Sequence, residues 1–240
     1  MIDEEKLNLD IEIADAIMER PYGFSSGHRH FFLYPVTLGK MFLINRQIEN
    51  LEINQQILTF NPSLEAVRLV REKKNVCLSI IAYYTCKDKS EVFLQNEIET
   101  RKDLFGREMS DEELATLMIT VLTNDKTGLF IKHLGIDREQ ERMRKVMAAK
   151  KSKNNINFGG KSYYGSLIDA ACERYGWTLE YVVWGISYTN LRMLLADKVS
   201  SIYVSDDELK KLPASALNDN GVVRADSEEG KELIRSMDWS

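Results

Sequence analysis

Cysteine, histidine and proline are scarce in this 240-residue chain, with three, three and four of each. Cys77, Cys86 and Cys172 are an odd number and form no CxxC pair, so neither a disulfide framework nor a zinc module is expected, and a reducing compartment is the simplest reading. Four prolines and 13 glycines leave little room for a linker protein or a collagen. Long apolar runs are missing too: no uncharged stretch approaches the ~20 residues a membrane span needs. The opening MIDEEKLNLD has no apolar core of the kind a signal peptide carries. Positive charge is in deficit, 32 Lys and Arg against 37 Asp and Glu, and the net charge of −5 argues against a general nucleic-acid binder. What is present is ordinary for a globular protein, 44% hydrophobic and 29% charged residues. The expectation is a soluble cytoplasmic chain of one large or two small domains.

The apolar spacing is mostly helical. Leu9, Ile13, Ala16 and Ile17 recur at three- and four-residue steps until Pro21. Pro21–His30, with two Gly and two Ser, reads as a loop, and His30–Tyr34 as a short strand. Thr37 is placed to cap a helix carrying Leu38, Met41, Phe42, Ile48 and Leu51. Ser63 is placed to cap the next one, after Pro62, with a turn at Lys73–Asn75. Val76–Tyr84 suits a buried strand or a buried helix, and its helical neighbours favour helix. An amphipathic helix is expected over Glu91–Phe105. Ser110–Glu113 forms a capping box ahead of Leu114, Leu117, Met118, Val121 and Leu122. Thr127–Leu134 reads as a short helix closed by Gly135, and Asp137 as the cap of a charged helix to Lys150.

KKSKNNINFGGK, residues 150–161, has almost nothing to bury and reads as a linker. Beyond it, helices are expected before Tyr175-Gly176, after Thr178, and after Ser187 or Thr189. Ser205–Glu208 is a second capping box, and Ala214–Ser240 a polar, partly mobile tail.

Each chemically suggestive cluster has a plain alternative. Gly159-Gly160-Lys161-Ser162 resembles the end of a phosphate loop, but Asn155 stands where that motif needs glycine, and no buried strand precedes it. His28 and His30, with His133 distant, lack a third ligand at metal spacing, so a polar loop entering a strand is the simpler reading. Cys77 and Cys86 fall in apolar surroundings and read as inert thiols. Glu112-Glu113 and Asp206-Asp207 sit in first helical turns, where they complement the dipole. Lys145, Lys150, Lys151 and Lys153 suit a solvated helix end.

Aromatic residues are concentrated: Tyr163, Tyr164, Tyr175, Trp177, Tyr181, Trp184 and Tyr188. A small helical unit cannot bury all of them, so part is expected to face the N-terminal domain, a partner or solvent. The segment YGSLIDAACERYGWTLEYVVWGISYTNLRMLLAD, Tyr164–Asp197, resembles the C-terminal helical part of tail assembly chaperones of tailed bacteriophages and prophages. The pattern is a helix, then Tyr175-Gly176-Trp177, a Thr-capped short helix and a last helix. RHFFLYPVTLGKMFLINRQIE, Arg29–Glu49, also looks like phage tail-gene products, most clearly over Leu33–Lys40. The chain is longer, and its aromatic cluster denser, than is usual in that family.

The resemblance implies a non-enzymatic protein in the bacterial cytoplasm. It would bind the long helical tape-measure protein and keep it soluble until the tail tube forms around it, without being retained in the virion. No cofactor, metal, nucleic acid or membrane is implied. A helical groove with aromatic contacts suits an amphipathic helix, and acidic charge suits solubility. The expected architecture is all-α: a larger helical domain over 1–150, a linker over 151–161, a three- or four-helix unit over 162–212 and a tail over 213–240. Trp177, Tyr181, Trp184 and Tyr188 are the expected partner contacts. The rival readings are a structural tail or connector protein, a nucleotide enzyme using Gly159–Ser162, and a DNA-binding regulator. Lys161, Arg174 and Arg192 are too scattered to make the recognition helix of the last.

Overall fold

Apolar residues at helical spacing dominate the sequence, and the computed structural model is accordingly mostly helical. It describes residues 4–150, 161–212 and 216. The expected linker over 151–161 and tail over 213–240 lie outside them, save Lys161 and Ala216. The described residues form two compact units, 4–131 with 161–197, and 132–150 with 198–212 and 216.

The first unit begins with α1 (Glu4–Ile17), a hairpin of β1 (Tyr22–Ser26) and β2 (Arg29–Leu33), and α2 (Leu38–Ile48). Then follow α3 (Gln55–Phe60), α4 (Pro62–Thr85), α5 (Lys89–Val92), α6 (Glu97–Glu108), α7 (Asp111–Leu122) and α8 (Thr127–His133), whose last residues belong to the second unit. The centre is α4, which packs on α2, α3, α6, α7 and β2. Its buried Leu69, Ile80 and Ile81 join Ile44, Leu51, Phe105, Leu114 and Met118 in the main core. Local sequence explains its start. The Asn61 side chain accepts from Ser63 N at 3.0 Å and Leu64 N at 3.2 Å, so Asn61 rather than Ser63 is the cap, and Pro62 occupies the first turn, where its missing N–H costs nothing. The turn expected at Lys73–Asn75 is a kink inside the helix, with Lys73 at φ −131°, ψ 32°. Val76–Tyr84 is helical, as expected.

The hairpin corrects the expected loop over Pro21–His30. Two antiparallel strands run there, with Tyr22 opposite Leu33 and Ser26 opposite Arg29, so the fold is not strictly all-α. Gly27 turns the chain at φ +57°, a conformation glycine adopts without penalty. Phe24 and Phe31 hold the hairpin to the core through Phe105, at ring separations of 5.8 and 5.0 Å. The helix expected over Glu91–Phe105 is two helices, broken where Asn96 takes φ +62°.

Residues 161–197 supply α10 (Tyr163–Tyr175), a π-helical turn (Tyr181–Gly185) where an α-helix was expected, and α11 (Tyr188–Ala196). They share a core with the N-terminal part: Leu38 sits among Leu167, Ala171, Val182, Ile186 and Leu191. Thr37 pairs with Ser187 as a β-bridge, and Tyr188 N donates to Val36 O at 2.7 Å. The compact units are therefore drawn differently from the expected division at 151–161. A third cluster, Ile13, Phe130 and Met193, joins α1, α8 and α11.

The second unit holds α9 (Ile136–Ala149) and α12 (Asp206–Leu209). Gly135, at φ +72°, caps α9 in place of the expected Asp137. Arg142 holds Glu139 at 3.0 Å and donates to Ala216 O at 3.1 Å. Ser205 and Glu208 form the expected capping box.

Candidate functional site

The first unit holds a cavity of about 630 Å³. Its apolar lining comes from the main core, through Leu51, Ile80, Met118 and Val121, and from Ala16 and Phe130 on the third cluster. Two short segments complete it: Leu33–Val36, entering α2, and Ser187–Thr189, entering α11. The Thr37–Ser187 bridge ties them together, and Glu19 braces the join by accepting from Ser187 N at 2.7 Å and Asn190 Nδ2 at 3.1 Å.

Charges occur in matched sets around this lining. Lys126 meets Glu12 at 2.7 Å, and Arg20 meets Asp15 at 3.3 Å. Asp125 meets Arg192 at 2.9 Å and accepts from Thr127 N at 3.1 Å. Burial opposes the Asp125 charge, but hydrogen bonding from Thr127 and the Arg192 guanidinium outweigh it and hold the carboxyl below its usual range. Burial pushes the Tyr84 phenol up to about 12, so it stays a neutral donor. Such a lining, apolar with a few fixed polar groups, suits binding.

The four expected contact residues do not share one face. Trp177 stacks on Tyr175 at 4.6 Å and meets Tyr181 edge-on at 5.1 Å. Tyr181 is 44% exposed. Trp184 lies elsewhere, edge-on to Phe93 at 5.5 Å and directly over Gly39, where an added Cβ would come within 2.7 Å of the indole. Its role in the fold is to seat the π-helical turn on α2. Tyr188 lines the cavity, and its hydroxyl meets that of Tyr163 at 3.2 Å. Burial, then the Tyr163 hydroxyl, pushes the Tyr188 phenol well above its usual range.

The other candidates resolve plainly. Burial pushes the Cys77 and Cys86 thiols up to about 11, which leaves them protonated at neutral pH. His30 Nδ1 meets Ser25 Oγ at 3.0 Å across the hairpin. Among the described residues no group of three or more His, Cys, Asp or Glu could hold a metal. Gly159, Gly160, Lys151 and Lys153 lie outside the described residues, while the Ser162 hydroxyl caps α10 by accepting from Gly165 N at 3.2 Å. No helix among the described residues is long and apolar enough to cross a membrane.

Sequence reasoning passed over Lys40, which is 1% exposed and donates to Cys86 O at 3.0 Å. The only signal was a lysine within an otherwise apolar helix face. The chain matches no family model, no curated protein and no solved structure.

Proposed function

We propose that the chain is a non-enzymatic tail assembly chaperone that holds an amphipathic helix of the tape-measure protein at the mouth of this cavity. One observation carries the reading. The two segments that resemble phage tail proteins, Leu33–Lys40 and Tyr164–Asp197, are far apart in sequence, yet both contribute to the cavity lining, at Leu33–Val36 and Ser187–Thr189. An apolar floor of Met118, Val121 and Ile80 accepts the apolar face of a helix, and the charged residues around it meet the polar edges. Tyr188, at the lining, and the exposed Tyr181 are the aromatic contacts in this scheme, with Trp177 behind Tyr181 and Trp184 seating the π-helical turn on α2.

The test is co-expression with a tape-measure fragment. The wild-type chain keeps the fragment soluble. Thr189→Trp, which fills the cavity from its lining, lowers the soluble yield roughly fivefold or more while circular dichroism stays unchanged. A folded Thr189→Trp chain that solubilises as well as wild type removes the cavity from the reading. Finding the chain at fixed copy number in purified virions replaces the chaperone with a structural tail protein.

A further inference from the structure

The C-terminal end of α1 is strained at one residue, and that residue has a partner. Arg20 N donates to Asp15 O at 3.0 Å and Glu19 N to Ala16 O at 3.1 Å, the paired bonds of a Schellman helix end. In that motif the residue before the last donor takes the left-handed conformation, which is why glycine usually stands there. Here it is Glu19, at φ +54°. A glutamate in that place costs backbone energy, and such strain persists where side-chain contacts offset it. Glu19 Oε1 accepts from Ser187 N at 2.7 Å and from Asn190 Nδ2 at 3.1 Å. Asn190 Nδ2 also donates to Ile17 O at 3.2 Å, in the last turn of α1. The receiving end is fixed by other bonds. Ser187 Oγ accepts from Asn190 N at 3.2 Å, and Tyr188 N donates to Val36 O at 2.7 Å.

The rest of α1 is held lightly. Leu9, Ile13 and Ala16, at steps of four and three, meet Phe130 and Met193 in a cluster far smaller than the main core. Glu12 meets Lys126 at 2.7 Å, with both side chains partly exposed. Glu12, Asp15, Ala16 and Arg20, which share one face of the helix, wall the cavity. Lifting α1 removes that wall and bares Phe130 and Met193, which extends the apolar floor.

We propose that α1 is an autoinhibitory lid, latched by Glu19, that holds the place of the partner helix at the cavity. The proposal rests on the helix-binding reading of the cavity and supplies its regulation. The lid then describes what replaces it: an amphipathic helix with apolar residues at steps of four and three and an acid aligned with Lys126. The partner binds only as the lid leaves, so the latch lowers its apparent affinity by the fraction of chains that are closed.

The probe is a labelled peptide of residues 4–20, EEKLNLDIEIADAIMER, added to the full chain. In wild type the tethered lid excludes it, because the chain's own copy is present at high effective concentration. Glu19→Gly keeps the helix end, which glycine suits, and removes the latch. Fluorescence anisotropy is expected to show that variant binding the peptide at least about tenfold more tightly than wild type. Glu19→Gln loses the same charge but keeps an acceptor oxygen, and should stay within about twofold of wild type. Hydrogen exchange should rise about tenfold or more across α1 in Glu19→Gly while α4 and α7 keep their protection. Equal peptide binding by wild type and Glu19→Gly overturns the lid, and so does exchange that rises in α4 as much as in α1. Neither readout involves the tape-measure protein. An opened lid with no tape-measure fragment solubilised overturns the chaperone reading alone, and solubilisation that an opened lid leaves unchanged overturns the autoinhibition.

Discussion

Replacing Lys40 by methionine isolates the cost of a buried amine. Lys40 is the third residue of α2, and its Nζ donates to Cys86 O at the C-terminal end of α4. Burial lowers its pKa from 10.5 to about 8, against the opposing pull of Cys86, Glu91, Asp88 and Glu19. At about 1.4 kcal/mol per pKa unit, the folded state carries a penalty of about 3 kcal/mol at pH 7, where the amine is charged in both states. The penalty fades as pH rises. Between the folded value near 8 and the unfolded value near 10.5, the unfolded chain holds the extra proton, so stability gains with pH. From pH 7 to 9.5 that gain is about 2 kcal/mol. Lys40→Met keeps the apolar stem and removes the titration. It also leaves the Cys86 carbonyl without its donor, which costs about 1–3 kcal/mol, so at pH 7 the two effects nearly cancel. The Cys77 and Cys86 thiols titrate with the opposite sign, since their raised values remove stability as pH climbs from about 9 to about 11. Both proteins contain them, and losing the Lys40 charge only raises the Cys86 thiol further, so up to pH 9.5 both thiols stay protonated in either folded state and add little to the difference. Urea denaturation of both proteins at pH 7 and 9.5 is the assay. Wild type should gain about 2 kcal/mol on the variant between the two, and parallel pH profiles would refute the reasoning.

Two further substitutions test how the first unit is fastened. Gly39→Ala should raise helix propensity yet lower stability by about 1–3 kcal/mol, because the new Cβ meets the rigid Trp184 indole at 2.7 Å; a thermal scan showing stabilisation would contradict that packing. Glu65 is fully buried and accepts from Asn54 N at 2.7 Å and from Arg68 Nε at 2.9 Å and Nη2 at 2.6 Å. Arg68 chiefly holds the Glu65 carboxyl below its ordinary 4.5, so its contribution is present above that value and is lost as pH falls through the lower folded one. Glu65→Gln should cost about 1–3 kcal/mol at pH 7 and flatten the acid limb of the stability profile below pH 4.5, measured by urea denaturation at stepped pH.

Features set by neighbours in sequence were legible before the structure. The Ser110 box depends on residues three apart, and both of its bonds form, Glu113 N to Ser110 Oγ at 3.2 Å and Ser110 N to Glu113 Oε2 at 2.8 Å. The same holds for Thr37, Ser187 and the Gly176 helix end. What stayed hidden depends on distant partners. Gly and Ser around Tyr22 and Phe24 signal a loop, and only Phe105, some eighty residues on, makes that stretch worth pairing as a strand. Asn96 in the left-handed region gave no signal beyond asparagine's tolerance for it. The cavity is wholly of this second kind, because its lining unites α1, the hairpin exit, α4, α7 and the start of α11.

The aromatic cluster shows how such hidden partners change a functional inference. Seven large rings exceed what residues 162–212 could bury alone, which left the N-terminal domain, a partner or solvent to take the rest. The first unit takes several of them. Tyr164 packs on Phe42 at 4.0 Å and accepts from Asn45 Nδ2 at 3.0 Å, while Trp184 takes Gly39 and Phe93. Tyr175 spends its hydroxyl on Leu194 O at 3.0 Å. Among the four expected contacts, Tyr181 is the exposed one, with its ring against Trp177 and over Gly185 and its N–H on the Thr178 hydroxyl. A binding loss in Trp184→Ala would therefore mix partner contact with loosened docking of residues 161–197 on α2. At Tyr181 the two separate, because its ring packs on Trp177 and Gly185 of its own segment. Lost binding without lost stability there is the signature of a surface contact, and lost stability without lost binding marks the remaining aromatics as core.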